Sequence, residues 1–479
     1  MENLKQKTAR SIAWGAVNNG ATQVLNLVFG IVLARKLTET DYGLVALLTI
    51  FTALAGCIQA AGFSQALANL NPPKQRDYNA VFWFNIIAGF AMYVMLFLAA
   101  PLIASFFHQP QLTSVSRVVF LTIPISAIGI VPNAKLWIEM RNREMAITAI
   151  TALLLSGATG IWLAFHGYAY WSLAWQQVAF ISVSNVLRYI FTRWHPTLPI
   201  DLSPIRSMLG FSSKMLLTNM LTVVSQNVQT FIFGRLLPIG VVGQFNQANK
   251  WNTMGHSFIS GTMTQVAQPV LTNVGDDNER RLNVLRKMMR FTAFISFPLM
   301  LGLAIVAREF IVITIGEKWL PCVPLLQILC IGGAFVPLQV LIQNFIISRG
   351  RSDIHLYLVS LQIVLQVVLT LALSPLGITA MVTAFASLNV AFLAVWYAAL
   401  RRLQPMKLID MLRDVAPFLV VAAAVMAAAY FATNTIDSLW LLLVLRILLV
   451  TMLYVAIMRM LNVVILKECL NFILKRKET

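Results

Sequence analysis

The chain has 479 residues, 58% of them hydrophobic and only 11% charged, with a mean hydropathy of +0.76. An ordinary soluble domain is about 45–50% apolar and about 25% charged, so this composition excludes a water-soluble globular protein. A net charge of +18 points to nucleic acid on a soluble chain, but here the placement of the basic residues supplies another reason for it.

Apolar stretches long enough to cross a hydrocarbon core of about 30 Å recur from end to end. The first, 11–34, follows Lys5, Lys7 and Arg10. That order resembles a secretory signal, but the stretch is too long for one and a second span follows at once. A retained first helix is expected. Next come 42–66, 80–105, 117–138, 146–166 and 169–192. A second set follows at 209–236, 241–271, 289–314, 322–347, 355–374 and 377–400, and two more lie at 414–433 and 438–461. The expected fold is an all-α integral membrane protein with about 14 transmembrane helices. Short links carry turn residues, among them Asn71-Pro72-Pro73, Gln109-Pro110, Ser374-Pro375 and Leu376-Gly377.

Sidedness follows from Lys and Arg in the links. With the N-terminus cytoplasmic, 28 basic residues fall on the inner side and 6 on the outer, with Lys250 and Arg446 inside spans, accounting for all 36. This predicts a multi-pass membrane protein with both termini in the cytoplasm, and it removes the case for nucleic acid. The segments 276–290 and 467–477 mix basic and apolar residues and read as amphipathic helices on the inner leaflet, drawn to membrane lipids. Cys57, Cys322, Cys330 and Cys469 fit no metal spacing and read as small buried hydrophobes. No metal site and no cofactor are expected.

The first and seventh spans repeat each other at an offset of 200 residues. Ala34-Arg35-Lys36-Leu37 followed by Gly43 aligns with Gly234-Arg235-Leu236-Leu237 followed by Gly243. Two parallel repeats are a known transporter layout, with substrate bound between them. The expected domains are 1–200 (helices one to six), 201–402 (helices seven to twelve) and 403–479 (two further helices and a basic tail).

Polar residues are costly inside a membrane and usually face a bundle interior or a water-filled cavity. Asn18, Asn19, Thr22, Gln23 and Asn26 gather on the first span. Asn219, Thr222, Gln226 and Thr230 form a stripe on the seventh. Asn246, Asn249, Lys250, Thr253, Ser257, Ser260 and Thr264 share a face of the eighth. Gln339, Gln343 and Asn344 mark the tenth and Gln362 and Gln366 the eleventh. The plain alternative for each is hydrogen bonding between packed helices. Collectively the stripes on spans one, seven and eight are expected to line a cavity, and amides suit sugar hydroxyls because each donates and accepts. The substrate-binding candidates are Lys250, Asn19, Gln23, Asn26, Asn219, Gln226, Asn246 and Asn249. Lys250 would meet a phosphate as a point charge, the alternative being that it snorkels to the outer interface. Arg446 has no acid near it in sequence and is expected to bond backbone carbonyls.

Four stretches resemble a known family: Leu33-Ala34-Arg35-Lys36-Leu37 through Asp41-Tyr42-Gly43-Leu44-Val45; Gln65-Ala66-Leu67 through Val81-Phe82-Trp83-Phe84-Asn85; Gly234-Arg235-Leu236-Leu237 through Gly243-Gln244-Phe245-Asn246-Gln247-Ala248; and Gly316-Glu317-Lys318-Trp319 through Leu325-Leu326-Gln327-Ile328-Leu329-Cys330. They are similar to the Wzx-type polysaccharide flippases, in particular the colanic-acid exporter branch, of the multidrug/oligosaccharidyl-lipid/polysaccharide superfamily. The resemblance weakens after about residue 400. It implies a V-shaped pair of six-helix lobes, MATE-like, with a basic cavity. It also implies transfer of an undecaprenyl-diphosphate-linked oligosaccharide across the inner membrane by alternating access, alongside a polysaccharide polymerase and assembly proteins. Many members carry an acid in the seventh helix where this chain has Gln229, which leaves ion coupling through that position open.

Two other classes compete. A MATE-type cation-coupled drug antiporter needs acids within its spans, and almost none are expected here. A membrane glycosyltransferase or polymerase is suggested by Glu39-Thr40-Asp41, but the link is short, and a helix cap at Thr40 or Asp41 explains it better. No nucleophile–histidine pair or phosphate loop supports an enzyme.

Overall fold

The computed structural model describes residues 4–60, 63–70, 73–198, 200–273, 277–463 and 465–466. Among the described residues every regular element is helical. Long apolar runs place the backbone polar groups in lipid, where their own helix supplies the partners. The chain divides into two compact units, Met1–Gly243 and Gln244–Thr479.

The first unit holds α1 (Leu4–Lys36), α2 (Glu39–Ala60), α3 (Phe63–Asn69), α4 (Gln75–Phe106), α5 (Leu112–Phe120), α6 (Thr122–Ile138), α7 (Asn142–Phe165), α8 (Trp171–Thr192) and α9 (Ser203–Leu236). α10 (Ile239–Asn273) begins in it and runs on into the second unit. That unit contains α11 (Asn278–Ile305), α12 (Ala307–Thr314), α13 (Cys322–Gly333), α14 (Val336–Ser348), α15 (Ser352–Ala372), α16 (Ile378–Leu403), α17 (Leu408–Thr433) and α18 (Leu439–Met460).

Each of the fourteen expected spans falls on one helix or on a broken pair. Eleven helical segments among the described residues are long and apolar enough to cross a membrane. The other three expected spans fall on α8, α9 and α10, of 22, 34 and 35 residues, whose sequences carry many amides and hydroxyls. The fourth, ninth and tenth spans are each broken in two. In the fourth and tenth a proline follows the break within the first turn of the new helix, Pro124 in α6 and Pro337 in α14, where its missing N–H costs nothing. The second span falls on α2 and α3, and residues 61–62 between them lie outside the described residues. The turn expected at Leu376-Gly377 is present, with Gly377 at φ 84° opening α16.

In the first unit α7 packs on α1 and α8, α6 on α4 and α8, and α2 on α9. Phe63, Leu67, Val81, Val131 and Trp194 share a core at the ends of α3, α4 and α6. There the link after α8 is strapped to α4. Asn79 donates to the Thr197 carbonyl at 2.7 Å and accepts from the Thr197 N–H at 2.8 Å. The Trp194 indole donates to Gln75 at 2.9 Å, and Arg76 pairs with Asp201 at 2.5 Å.

In the second unit α11 packs on α17 and α13, α13 on α16, and α17 on α18. Of the segment 276–290, expected along the membrane surface, residues 278–290 form the first part of α11. Asp277 caps it by accepting the Arg280 N–H at 3.0 Å, and Arg281, Leu285 and Met289 form a buried line at helical spacing. The reason is tertiary: this stretch packs on α17, where Arg286 meets Asp414 at 2.6 Å and Arg290 meets it at 3.6 Å. The segment 467–477 and Cys469 lie outside the described residues. Cys322 and Cys330 are buried and Cys57 is half-buried, all three as free thiols.

Candidate functional site

The polar stripes are where the molecule departs most from ordinary helix packing. On α1, Asn19, Gln23 and Asn26 are exposed and Thr22 is half-buried. At 100° per residue these four lie within roughly a 100° arc. On α9, Thr222 and Gln226 are exposed and Asn219 is half-buried, while Gln229 and Thr230 turn inward. On α10, Thr253 and Thr264 are exposed, and Asn246, Asn249, Lys250, Ser257 and Ser260 are half-buried. A polar side chain left uncovered on a transmembrane helix is stable only where water reaches it, because lipid offers no hydrogen bonds. Asn19, Gln23, Asn26 and Gln226 make no side-chain hydrogen bond among the described residues, so they are not serving as glue between helices.

Lys250 sits in the second unit with its Nζ 5.9 Å from the Trp251 ring centroid. Trp251 is buried and packs edge-to-face on Phe310 at 4.9 Å, which fixes the platform. No carboxylate pairs with Lys250 among the described residues. A half-buried ammonium against an aromatic face, without a counter-ion, remains available to an anionic group.

The first unit has an open cavity of about 650 Å³ framed by α1, α2, α6, α7 and α8. Of the expected binding residues, only Asn26 lines it. The second unit has an apolar groove of about 530 Å³ along α11 and α18, bordered by Arg446.

The repeat residues lie in tight contacts. A Cβ on Gly43 would strike the carbonyl oxygen of Ile239, and one on Gly243 would strike that of Glu39. Residues 39 and 43 on α2 and 239 and 243 on α10 thus approach each other reciprocally at the 200-residue offset. Arg235 lies 5.3 Å from the Phe106 ring and against His108, while Arg35 is exposed beside Lys36, whose Nζ stands 4.3 Å from the Phe165 ring.

The Glu39-Thr40-Asp41 stretch is the first turn of α2. Its cap is Thr38 rather than Thr40 or Asp41. The Asp41 carboxylate accepts the Thr38 N–H at 2.8 Å and hydroxyl at 2.7 Å, and the Asp41 N–H returns a bond to Thr38 at 3.3 Å. This is a reciprocal capping box.

Two acids missing from the sequence reading lie within expected spans, and both are occupied. Asp414 holds Arg286 and Arg290. Glu309 is 2% exposed and pairs with Arg446 at 3.0 Å. Arg446 does bond a carbonyl as expected, that of Ile305 at 3.1 Å, and it also donates to Thr433 at 3.0 Å. Its acid partner was invisible in the sequence because it lies 137 positions away.

The comparisons fit this architecture. A family described as polysaccharide biosynthesis protein matches residues 32–324. The chain is 24% identical over 362 residues to the lipopolysaccharide biosynthesis protein WzxC of Escherichia coli K12, covering 74% of this chain and 72% of that one. It is likewise 24% identical over 359 residues to the teichuronic acid biosynthesis protein TuaB of Bacillus subtilis 168, covering 74% of each. It is 24% identical over 334 residues to the succinoglycan biosynthesis transport protein ExoT of Rhizobium meliloti, covering 69% of this chain and 67% of that one. Among solved structures, lipid II flippase MurJ in an inward closed conformation superposes with a TM-score of 0.78 at 12% identity, over 94% of this chain and all of that one. An inward-facing multidrug resistance MATE transporter superposes at 0.64 and 16% identity, over 80% and 94%. At those identities the likeness is one of fold.

Proposed function

The chain belongs to the polysaccharide biosynthesis protein family, and on that premise we propose that it is a flippase for lipid-linked oligosaccharide in polysaccharide biosynthesis. The observation that carries this is the set of exposed and half-buried amides and hydroxyls on α1, α9 and α10, together with a Lys250 ammonium that has no acid partner among the described residues. A sugar head group needs many neutral donors and acceptors, and a diphosphate needs a cation. These helices supply both kinds of partner.

In this reading the substrate is an undecaprenyl-diphosphate-linked oligosaccharide moved from the inner to the outer leaflet of a bacterial inner membrane by alternating access. The prenyl tail stays in lipid. Asn19, Gln23, Asn26, Asn219, Gln226, Asn246 and Asn249 exchange hydrogen bonds with sugar hydroxyls, and Lys250 meets the diphosphate. Residues 1–200 and 201–402 form the two repeat lobes, 403–479 carry the added helices, and both termini are cytoplasmic. The polymerase and assembly proteins of the same route are the expected partners. Antiport driven by a spanning acid gains no support, since Glu309 and Asp414 are held in ion pairs and Gln229 is neutral.

Lys250→Gln and Lys250→Ala are expected to cut export to a small fraction of wild type at unchanged protein level, while Lys250→Arg keeps a substantial part. Accumulation of lipid-linked repeat units at the inner leaflet reads the block. Full export by both neutral variants removes Lys250 from the site.

A further inference from the structure

We propose that the open cavity of the first unit is a recognition site for one sugar ring of the transported head group, a specificity site separate from the phosphate contact at Lys250. It rests on the flippase reading and extends it to residues of α2, α6, α7 and α8.

The cavity joins apolar walls to neutral polar groups. No ionisable side chain lines its walls. Nine lining residues are neutral and polar, and at about 650 Å³ it falls in the range of small-ligand pockets. Four of its hydroxyls spend their protons on backbone carbonyls three or four residues back. Thr22 donates to Asn18 O, Thr52 to Thr49 O, Thr122 to Val119 O and Ser156 to Leu153 O. Each then shows the cavity an oxygen lone pair, an acceptor for a ligand hydroxyl.

The amides do the opposite. Gln59 is 2% exposed and locked, donating to the Ile123 carbonyl at 2.7 Å and accepting from Ser126 at 2.6 Å. Asn26, Gln176 and Gln177 line the cavity, and their amides make no hydrogen bond among the described residues. They offer free N–H donors and carbonyl acceptors at once. Gly160 leaves room for the Gln176 side chain, whose atoms would lie 3.1–3.3 Å from any Cβ there. Phe180 lines the same space and is 37% exposed, giving an aromatic face.

This set selects among ligand classes. A phosphate would find no cation, a metal ion no carboxylate, and a prenyl chain would strand the free amides without partners. A pyranose matches: its hydroxyls both donate and accept, and its C–H face packs on an aromatic ring.

The test uses the full-length protein in lipid nanodiscs. Binding of polyprenyl diphosphates carrying glucose, galactose or N-acetylglucosamine is compared with binding of bare polyprenyl diphosphate. Wild type is expected to favour at least one glycosylated lipid by about tenfold, the scale of one or two neutral hydrogen bonds plus a ring contact. Q176A/Q177A and F180A are expected to lose that preference while binding bare lipid as before, and F180Y is expected to keep it. Thermal melting checks that each variant is folded, with Gln177→Asn replacing the double variant if it is not. Lys250→Gln is expected to weaken both lipids equally. No preference across the panel, or a preference intact in the folded variants, overturns the sugar site. Failure of wild type to bind any of the lipids overturns the flippase reading itself.

Discussion

Arg446 shows what a single residue does in this membrane fold. Its guanidinium is 5% exposed, sits on α18, and reaches Thr433 on α17, Ile305 on α11 and Glu309 on α12. Tyr430 lies 5.2 Å beneath it. The two C-terminal helices are thereby pinned to the second unit by one hub. Burying two charges is costly, and the pair is held because each finds the other and Thr433 accepts a further bond from Arg446. Removing one partner leaves the other uncompensated. Arg446→Ala is therefore expected to destabilise the protein by about 3–5 kcal/mol, whereas the volume-matched double variant Arg446→Met/Glu309→Gln loses much less. Denaturant titration in detergent measures both. Equal losses would mean the ion pair is not the hub. At this scale the sequence was partly readable. Arg446 stood out as a charge in an apolar span, and its carbonyl bond was expected. Glu309 did not stand out, because it sits beside Arg308 near a helix break and its partner is remote in sequence.

Among elements, the contact between α2 and α10 ties the sequence repeat to packing. Gly43 and Gly243 stand 200 positions apart, and each backbone rests where the other helix's carbonyl leaves space for no side chain. Small residues let transmembrane helices approach to this distance, where dispersion and weak C–H···O contacts add up. Gly43→Ala and Gly243→Ala are each expected to cost about 1–3 kcal/mol through overpacking. The double variant is expected to cost less than their sum, since one displacement makes room for both methyls. Melting of the four proteins in the same detergent checks this, and strict additivity would mean the two glycines act separately. The repeat itself was legible, because identical residues recur at a fixed offset. The reciprocal contact was not, because nothing local says which helix faces a glycine. The polar stripes were legible for the converse reason: a 3.6-residue period alone places Asn19, Gln23 and Asn26 on one face. The cavity residues Gln176, Gln177 and Phe180 carry no such signal, since five helices must converge before they share a wall.

For the molecule as a whole, composition already required a membrane, and the fourteen expected spans all fall on helices. Breaks within spans escaped detection because an apolar window runs smoothly across them. The placement of α11 was missed for a different reason: its basic first turns read as a surface segment until Asp414 of α17 gave them partners. Sidedness is the next test at this scale. With 28 of 36 basic residues expected inside, reporter fusions after residues 110, 168 and 376 are predicted to read as outer, and those after 140 and 404 as inner. An inverted pattern would refute the cytoplasmic placement of the termini.

The central claim is movement of a glycosylated prenyl diphosphate between leaflets. Purified protein is reconstituted into vesicles whose inner leaflet holds an isotopically labelled polyprenyl-diphosphate oligosaccharide, and a membrane-impermeant glycosidase outside reports its arrival. Vesicles with the wild-type protein are predicted to expose the label far faster than empty vesicles, and vesicles with Lys250→Gln to match the empty ones. Label that stays protected equally in wild-type and empty vesicles would contradict the flippase reading.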